Sequence, residues 1–386
     1  MTAQTRSRLY WGLLALGTLA MLAVLAAAGR WPLTDGGQVV ITDFATVWAA
    51  AVRTLAGAPQ LAYDHALHEA FYARLIERPA ADGLTFGYPP TAFLLFAPFG
   101  LLPYGPALLV YLALGAAVWF LALRAVTGDT PLALAMTFAW GGASQTLLLG
   151  QNGFLTAAAM VGGLTLLPRR PVLAGVLCGL LAVKPHLGLA LALFLLLRQE
   201  WRAVASACAT LAIMVAATLA LWGGGVWSRY LAASEEIAAI VAGRTDTIIG
   251  GKMQSALALA IDHLALGPAL AIHAAFAAMV LGLMTWVVLR RPAFEVQAAA
   301  VVAASVLVTP YSFLYDCTML TGAAAFLLGG PLLRGERLAL LAAMALPAMW
   351  FFTATPLVPF VGVLILALCL RRAGGTRPLR ARPVPA

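Results

Sequence analysis

The sequence contains few charged residues. Only 10% of its 386 residues are Asp, Glu, Lys or Arg, and 62% are hydrophobic, whereas soluble domains average about 25% charged and about 45–50% apolar residues. The mean hydropathy is +0.92. This composition excludes an ordinary soluble enzyme, a disordered chain and a typical nucleic-acid-binding protein. It is typical of a protein that crosses a membrane many times.

The usual signatures of nucleotide, acyl and metal chemistry are also absent. The sequence has no Gly-x-x-x-x-Gly-Lys loop, no Gly-x-Ser-x-Gly turn, no His-Glu-x-x-His helix and no Asp-x-Asp pair. No metal-ligand spacing joins the four cysteines or four of the histidines, which are Cys178, Cys208, Cys317, Cys369, His65, His68, His263 and His273. We expect reduced cysteines that serve packing, no metal site and no cofactor.

Long apolar runs dominate the chain. A helix needs about 20 apolar residues to cross a hydrocarbon core of about 30 Å. Candidate spans cover residues 9–28, 104–126, 131–149, 153–167, 171–183, 185–198, 202–222, 268–289, 293–309, 313–330, 337–353 and 356–370. The apolar stretches 91–102 and 253–261 are too short to cross alone and are expected to be re-entrant or interfacial. The sequence therefore predicts an all-α polytopic membrane protein of about twelve transmembrane helices, forming a single domain over residues 1–370.

The basic residues predict how these spans are oriented. With both ends in the cytoplasm, sixteen of the 24 Lys and Arg residues face the cytoplasm and eight face outward, mostly in the two longest loops. Cytoplasmic loops carry such an excess of basic residues, and long loops count least. We therefore interpret the net charge of +9 as a topology signal, with no nucleic-acid partner. Residues 371–386 are expected to form a basic cytoplasmic tail near anionic lipid.

One part of this topology has two interpretations. Segments 171–183 and 185–198 are either two short helices or one long helix broken at Pro185. The second choice would invert every later span. The two-helix interpretation keeps Arg170 and Arg198 on the cytoplasmic side, and we prefer it.

Two outward regions, 29–90 and 223–252, show helical patterning. Apolar side chains from Phe44 to Leu55 recur at helical spacing, with Thr42 as a plausible cap and Gly57 as a plausible stop. A similar pattern follows Asp64, which can cap a second helix. In the second outer region, a third such pattern begins at Leu231 and ends at Gly243. We expect amphipathic helices that lie with their apolar face on the membrane. Such helices suit an enzyme for a lipid-linked substrate better than a channel.

Several short motifs occur in a fixed order and together resemble one known family. They are Thr42-Asp43-Phe44 with Trp48, Gly57 and Tyr63-Asp64; Tyr88-Pro89-Pro90; Gly150-Gln151-Asn152-Gly153; Arg170-Pro171 through Gly175 to Lys184-Pro185-His186, followed by Trp201-Arg202; Lys252-Met253-Gln254-Ser255; and Pro310-Tyr311 with Tyr315-Asp316. Over roughly residues 40–320 the chain resembles glycosyltransferase family 87, whose members are integral-membrane C-type glycosyltransferases (GT-C). The family includes bacterial mannosyltransferases that use polyprenyl-phosphate mannose.

The resemblance implies a GT-C-like helix bundle and an inverting hexosyltransferase of the bacterial plasma (inner) membrane. The implied donor is a polyprenyl-phosphate sugar, with mannose as the first choice. The implied acceptor is a hydroxyl of a lipid-linked or envelope glycan on the outer face. Besides these two substrates, the expected partner is membrane lipid.

The resemblance also implies catalytic residues. Asp43 is the expected general base, because similar enzymes carry a carboxylate in the first outer loop. Its alternative role is to stabilise the dipole of the following helix, by about 0.3–1 kcal/mol. Asp316 is the rival base, and its alternative role is capping or an ion pair with Lys184 or Lys252.

Lys184, Lys252 and Arg53 are the expected ligands of the donor phosphate. Lys184 interrupts an apolar run, where an ionisable residue is by default functional, although a lysine at this depth can also extend to the interface. Lys252 can do the same work, and Arg53 follows Asp43 on the predicted helix.

Five polar or aromatic residues are expected to contact substrate: Gln151, Asn152, Tyr88, His186 and Gln254. The amides of Gln151 and Asn152 can bind sugar hydroxyls, or they can hold a helix–helix turn. Tyr88 can stack on a sugar or belong to an interfacial aromatic belt. His186 stands where similar enzymes commonly have Gln.

A transporter or flippase for a lipid-linked or small polar substrate is the alternative function. Such proteins often contain broken spans in matching halves. The segments that flank Pro185 resemble one such break, but the other half of the chain has no matching pair. The carboxylates of the outer loop favour an enzyme.

Overall fold

The computed structural model describes residues 2–76, 85–242, 252–330, 332–349, 353 and 355–375. Within these ranges the chain forms helices and short 3₁₀ turns, and no strand longer than an isolated bridge. Some positions used in the sequence analysis lie outside the described residues, namely residues 77–84 of the first outer region, Gly243 with residues 244–251 of the second, and the tail beyond residue 375.

The α-helices of the described residues are numbered here in chain order. They are α1 (Ala3–Ala27), α2 (Phe44–Leu55), α3 (His65–Ile76), α4 (Thr91–Phe96), α5 (Tyr104–Thr127), α6 (Thr130–Thr137), α7 (Trp140–Leu149), α8 (Gly153–Leu166), α9 (Pro171–Leu180), α10 (Leu189–Leu197), α11 (Trp201–Trp222), α12 (Gly225–Ala242), α13 (Ala256–Ile261), α14 (Leu266–Leu289), α15 (Phe294–Val308), α16 (Thr318–Leu328), α17 (Arg334–Ala345) and α18 (Val358–Gly374). The 3₁₀ turns are Pro59–Tyr63, Ala97–Leu101, Leu181–Val183, Pro185–Gly188, Leu314–Cys317 and Leu346–Met349.

Four of these helices are long and apolar enough to cross a membrane: α1, α5, α11 and α14. A fifth span results if α6 and α7, which meet at a 55° bend, are counted together. The bend lies near Gly141, whose backbone is not helical and which touches the carbonyl of Met344. The other apolar helices of the described residues are shorter, with at most 17 residues. The protein is thus an all-α membrane protein, but the predicted twelve spans are not confirmed.

The chain reverses direction at Lys184. Helices α9 and α11 run parallel, as two contacts show. Near their N-termini, the Ser206 hydroxyl of α11 donates to the carbonyl of Val172 on α9 (2.6 Å). Further along both helices, Gly179 of α9 packs on Thr210 of α11. Since α9 and α11 begin at the same level, α10 must return the chain between them. This geometry agrees with the two-helix interpretation of residues 171–198. Lys184 itself lies between two 3₁₀ turns and has backbone angles that are neither helical nor extended.

Helix α2 forms where the sequence predicts it, but the prediction that it lies on the membrane surface is wrong. Ten of its twelve residues are buried. One cause is the alanine-rich side of the helix, which allows close approach: a Cβ atom on Gly100 would collide with the backbone of Ala51. The aromatic side packs on Tyr104 and Tyr111 through the ring of Phe44.

Helices α3 and α12 agree better with the surface expectation. Asp64 caps α3 by accepting from the backbone N–H of Leu67 (3.0 Å), as the sequence predicts. The side chain of Leu67 is exposed, and so is Leu231 on α12. Tyr230 of α12 contacts the ring of Tyr63, so that α12 covers the first outer region.

Helix α1 begins at the end of the bundle where α18 ends. Arg8 forms an ion pair with Asp129 (2.9 Å), in the turn between α5 and α6. Arg371, near the end of α18, pairs with Glu336. The start of α1 and the start of α17 lie close together, since Arg6 and Arg337 line the same cavity. The other end of the bundle holds Asp43, Lys184 and Asp316.

His68 generates a prediction about acid stability. Its side chain is 1% exposed, and its Nε2 atom lies 3.0 Å from the carbonyl oxygen of Thr46 on α2. Burial, assisted by the nearby charges of Arg53 and His65, lowers the pKa of His68 to about 4, although the bond to Thr46 opposes this shift. The stability that neutral His68 contributes is therefore present above pH 6.5 and lost as the pH falls towards 4.

We expect α3 to loosen from α2 over that pH range, by at most about 3 kcal/mol. Hydrogen-exchange protection of the α3 amides, corrected for the intrinsic exchange rate, measures the loss. The variant His68→Gln cannot become protonated and should keep constant protection. Equal pH dependence in the variant and the parent protein would contradict this account.

Candidate active site

Two distant parts of the chain are joined by a short antiparallel contact. Met253 pairs with Phe313 in an isolated bridge. The backbone N–H of Gln254 donates to the carbonyl of Ser312 (2.6 Å), and that of Leu314 donates to Lys252 (3.3 Å). This contact places Lys252 beside the turn that carries Asp316. It explains why the Lys252 and Tyr315-Asp316 motifs belong to one site.

Asp43 stands at the N-terminus of α2 and makes no capping hydrogen bond with its side chain. The ammonium of Lys252 lies 2.9 Å from Asp43 Oδ1 and 3.2 Å from Oδ2. Gln151 donates from Nε2 to Oδ2 (3.1 Å). The Asp43 and Lys252 side chains are each 14% exposed. This carboxylate thus serves the site and does not cap its helix, and a bound molecule can reach it.

Asp316 forms the second ion pair, and it is closed to solvent. Lys184 Nζ lies 2.7 Å from Asp316 Oδ1, and the two side chains are 5% and 0% exposed. Asp316 Oδ2 accepts from the backbone N–H of Phe313 (3.1 Å). The ammonium of Lys184 also lies 4.3 Å from the ring centre of Tyr315. Of the two partners that the sequence proposed for Asp316, the structure selects Lys184.

Tyr88 is linked to Asp43 through the side-chain amide of Gln151. Its hydroxyl donates to Gln151 Oε1 (2.9 Å), and its carbonyl accepts from the hydroxyl of Tyr63 (2.8 Å). Burial raises the pKa of the Tyr88 phenol well above its ordinary value of 10, and nearby Tyr111 and the charges of Asp316 and Asp43 raise it further. Tyr88 therefore stays protonated and acts as a hydrogen-bond donor.

The turn between α7 and α8 separates the two acidic segments. Gly150 has a positive φ of 63°, and a Cβ atom there would collide with Thr42 and Phe44. A Cβ atom on Gly153 would collide with the carbonyl of Tyr315. Only glycine allows the turn to fit this closely on both sides. The two glycines therefore place Gln151 against Asp43.

Asn152, His186 and Gln254 lie in the same part of the molecule with unused polar atoms. Both side-chain amide atoms of Asn152 are buried without a hydrogen-bond partner among the described residues, and so is Nε2 of His186. Gln254 uses Oε1 to accept from the backbone N–H groups of Leu357 (2.9 Å) and Val358 (3.3 Å). Its Nε2 atom has no partner in the same described ranges. Buried unpaired polar groups cost free energy, which a bound polar molecule would recover.

Arg53 is not brought to this cluster. It lies ten residues after Asp43 on one helix, a distance of about 15 Å along the axis. Its guanidinium donates to the carbonyl of Leu67 (2.8 Å) and stacks on Phe71 at 4.1 Å. The arginine therefore joins α2 to α3.

Sequence reasoning did not give a role to Tyr63, Tyr315 or Ser312. The first two were visible as the neighbours of Asp64 and Asp316 in the motifs, but their contacts were not. It also overlooked that Lys184 and Lys252 are the only lysines of the chain, since the other 22 basic residues are arginines. A lysine ammonium is a compact point charge on a flexible stem, unlike the planar guanidinium of arginine.

The arrangement can bind an anion and accept a proton. The ammonium of Lys252 and the amide of Gln151, which accepts from the Tyr88 hydroxyl, surround the partly exposed carboxylate of Asp43. Lys184 is paired with Asp316 in the neighbouring turn. Over the described ranges, no three His, Cys, Asp or Glu side chains approach closely enough to hold a metal ion.

Comparison with known proteins identifies the family. The model of glycosyltransferase family 87 matches residues 86–310, a range that includes the turn 150–153 and the residues 184–186. Asp43 precedes the matched range and Asp316 follows it. No curated protein and no solved structure matches the chain. Because the matched range covers more than half of the sequence, the protein belongs to glycosyltransferase family 87 and is a membrane glycosyltransferase.

Proposed function

We propose that the protein transfers a hexose, with mannose as the first choice, from a polyprenyl-phosphate sugar to a hydroxyl group. The acceptor is a lipid-linked or envelope glycan on the outer face of the bacterial plasma membrane. One observation carries this proposal: both lysines of the chain pair with carboxylates at one end of a membrane helix bundle, and only one of these pairs is reachable. Membership of the family supports sugar transfer in general.

The proposed orientation places this end of the bundle outside. The opposite end holds the start of α1 and the end of α18, together with Arg6, Arg8 and Arg371. An excess of arginine is expected on the cytoplasmic side. Both termini are then cytoplasmic, and the short helices complete about twelve passes in one domain over residues 1–370.

Lys252 is the proposed direct ligand of the donor phosphate, and Lys184 is proposed to support it from the adjoining buried pair. A lipid phosphate carries its charge at headgroup height, where an ammonium in apolar surroundings contributes about 1.5–3 kcal/mol through a charged hydrogen bond. Lys184 acts through a fixed charge and not through direct contact, because Asp316 and Tyr315 enclose its ammonium. The proposed sugar ligands are Tyr88, Gln151, Asn152, His186 and Gln254.

Asp43 is the proposed general base. It takes the proton of the acceptor hydroxyl while the oxygen attacks the anomeric carbon. The bond between that carbon and the phosphate oxygen breaks, and polyprenyl phosphate leaves with the electron pair. A phosphate is already a weak base, so no strong general acid is needed. Asp316 suits this work less well, because both of its oxygens are used and its side chain is fully buried.

The reversal of the chain at Lys184 favours one alternative, a transporter or flippase, since broken helices with charges at the break occur in transporters. Purified protein with polyprenyl-phosphate sugar and an acceptor separates the two functions. A glycosyltransferase releases polyprenyl phosphate and glycosylates the acceptor, whereas a transporter leaves the donor intact.

Replacing Asp43 tests the catalytic assignment. Asp43→Asn keeps the size of the side chain but removes the proton-accepting oxygen, so we expect turnover to fall by about 10²–10⁴. Asp64→Asn is the matched control, because Asp64 caps α3 in the same outer region and Asn caps a helix equally well. Turnover is measured as release of polyprenyl phosphate from labelled donor.

Asp316→Asn should reduce turnover less than Asp43→Asn among molecules that remain folded, as judged by thermal melting. Its main effect is expected on stability, since it leaves Lys184 buried without a counter-ion. If Asp43→Asn is active and folded Asp316→Asn is inactive, the base is Asp316. Full activity in both variants would exclude the proposed mechanism.

Replacing the lysines tests the phosphate assignment. We expect Lys252→Ala to raise the KM for the lipid donor about tenfold or more, as the loss of one charged hydrogen bond requires. Lys184→Ala should raise it less, because the ammonium of Lys184 is enclosed by its pair with Asp316. Arg53→Ala is the control, since its guanidinium is used by α3. A parental KM in both lysine variants would show that the phosphate binds elsewhere.

A further inference from the structure

Lys252 occupies the carboxylate that the reaction needs. Asp43 accepts three hydrogen bonds on its two oxygens, two from the ammonium of Lys252 and one from Gln151. A base held in this way has little capacity left for a substrate hydroxyl. Lys252 is also a proposed phosphate ligand, and a phosphate competes with Asp43 for its single positive charge and its three N–H donors.

The two partners of Asp43 differ in how firmly they are fixed. Gln151 is held at both ends of its amide and through its backbone N–H, which donates to Thr146 (3.0 Å). Within the described part of the chain, the backbone of Lys252 is held by one hydrogen bond, which its carbonyl accepts from Leu314. Its four-carbon side chain can turn without moving the bridge. Lys184 lacks this freedom because its pair is closed.

We propose that the donor phosphate draws Lys252 away from Asp43, so that binding of the donor releases the base. Gln151, oriented by Tyr88, then keeps the freed carboxylate in position for the acceptor hydroxyl and is a positioning residue. The inference rests on the proposed function and adds an order to it: the donor binds first, and the acceptor reacts only at the donor-loaded site.

Binding of a short-chain polyprenyl phosphate without sugar tests this exchange independently of turnover. Since Asp43→Asn removes the competitor for Lys252, we expect the variant to bind this probe roughly three- to tenfold more tightly than the parent protein, as expected for a partly exposed ion pair. The double variant Asp43→Asn/Lys252→Met should bind no more tightly than Lys252→Met alone. The corresponding neutral polyprenol should show no difference between the proteins.

Unchanged or weaker binding by folded Asp43→Asn would overturn the exchange, and so would an equal gain in the Lys252→Met background. Asp43→Ser replaces Asp43→Asn if the latter does not fold. The proposed function fails on a different measurement, namely a donor that the parent protein leaves intact in the presence of an acceptor. The pH–rate profile of Gln151→Glu supplies a further check. A second carboxylate beside Asp43 should raise the pKa of Asp43, so the acidic limb of the pH–rate profile should move to higher pH.

A second, independent observation concerns the opposite end of the bundle. A cavity of about 450 Å³ lies there between the start of α1 and helices α16 and α17. Its lining combines arginine, tyrosine and serine with aliphatic side chains, namely Arg6, Ser7, Tyr10, Trp11, Leu328, Leu332, Arg337, Leu338, Leu340 and Leu341. Arg337 is half-buried, and its Nε atom is buried without a partner among the described residues. The neighbouring acid, Glu336, is already paired with Arg371.

We infer that this cavity binds the phosphate of an acidic phospholipid, with part of one acyl chain along the leucines. The volume fits a headgroup and the first part of a chain. A guanidinium without an acid partner in the described structure matches a phosphate in charge and shape. The cavity lies at an end of membrane helices, where anionic headgroups are concentrated.

Native mass spectrometry of protein released from nanodiscs of phosphatidylglycerol and phosphatidylcholine tests the site. We expect the parent protein to retain phosphatidylglycerol preferentially and Arg337→Gln to lose about tenfold of that preference. Arg124→Gln is the control, because Arg124 lies at the same end but outside the cavity and contacts Thr130. Equal retention by Arg337→Gln would overturn the inference. Thermal stabilisation by inorganic phosphate alone, without effect of phosphatidylglycerol, would assign the cavity to a free anion and overturn the lipid assignment.

Discussion

The buried ion pair between Lys184 and Asp316 is the interaction on which the site depends. A chain that stops and reverses within an apolar region leaves backbone groups and a charge there, and an unpaired charge at that depth is costly. Asp316 neutralises Lys184 with one oxygen and fixes the Phe313 turn with the other. The same turn supports the bridge to Met253, which holds Lys252 where it meets Asp43. Removing the first pair would therefore disturb the second.

The two pairs use the same residue types but differ in enclosure. Lys184 and Asp316 are sealed by Tyr315 and the surrounding helices, so their charges serve as fixed parts of the scaffold. Lys252 and Asp43 are partly open, and Asp43 stands at a helix start without capping it. Two pairs of identical chemistry thus differ in access to solvent, and this difference makes Asp43 the better candidate for a reactive group.

The sequence predicted the bounds of α2 and the cap at Asp64, and it singled out both lysines and both acids as candidates, because periodicity and family motifs are local. It could not predict which lysine meets which acid, since the partners are 209 and 132 residues apart. The prediction placed α2 on the membrane surface, because a helix on a membrane and a helix buried inside a protein can show the same helical spacing of alanine and aromatic residues. Arg53 was predicted from its helix, but ten residues of helix carry it away from Asp43. The number of spans was uncertain for a similar reason, since a break such as that near Gly141 leaves no mark on hydropathy.

The scarcity of lysine gives the protein an unusual chemical property. Apart from the α-amino group, every primary amine of the chain lies within the site, because the surface is basic through arginine alone. Amine-selective reagents therefore act as site-directed labels on the unmodified sequence. The same scarcity limits cleavage of the denatured chain by a protease that cuts after lysine. Lys184 precedes a proline, which blocks cleavage there. A single cut after Lys252 therefore separates the part that carries Asp43 from the part that carries Asp316.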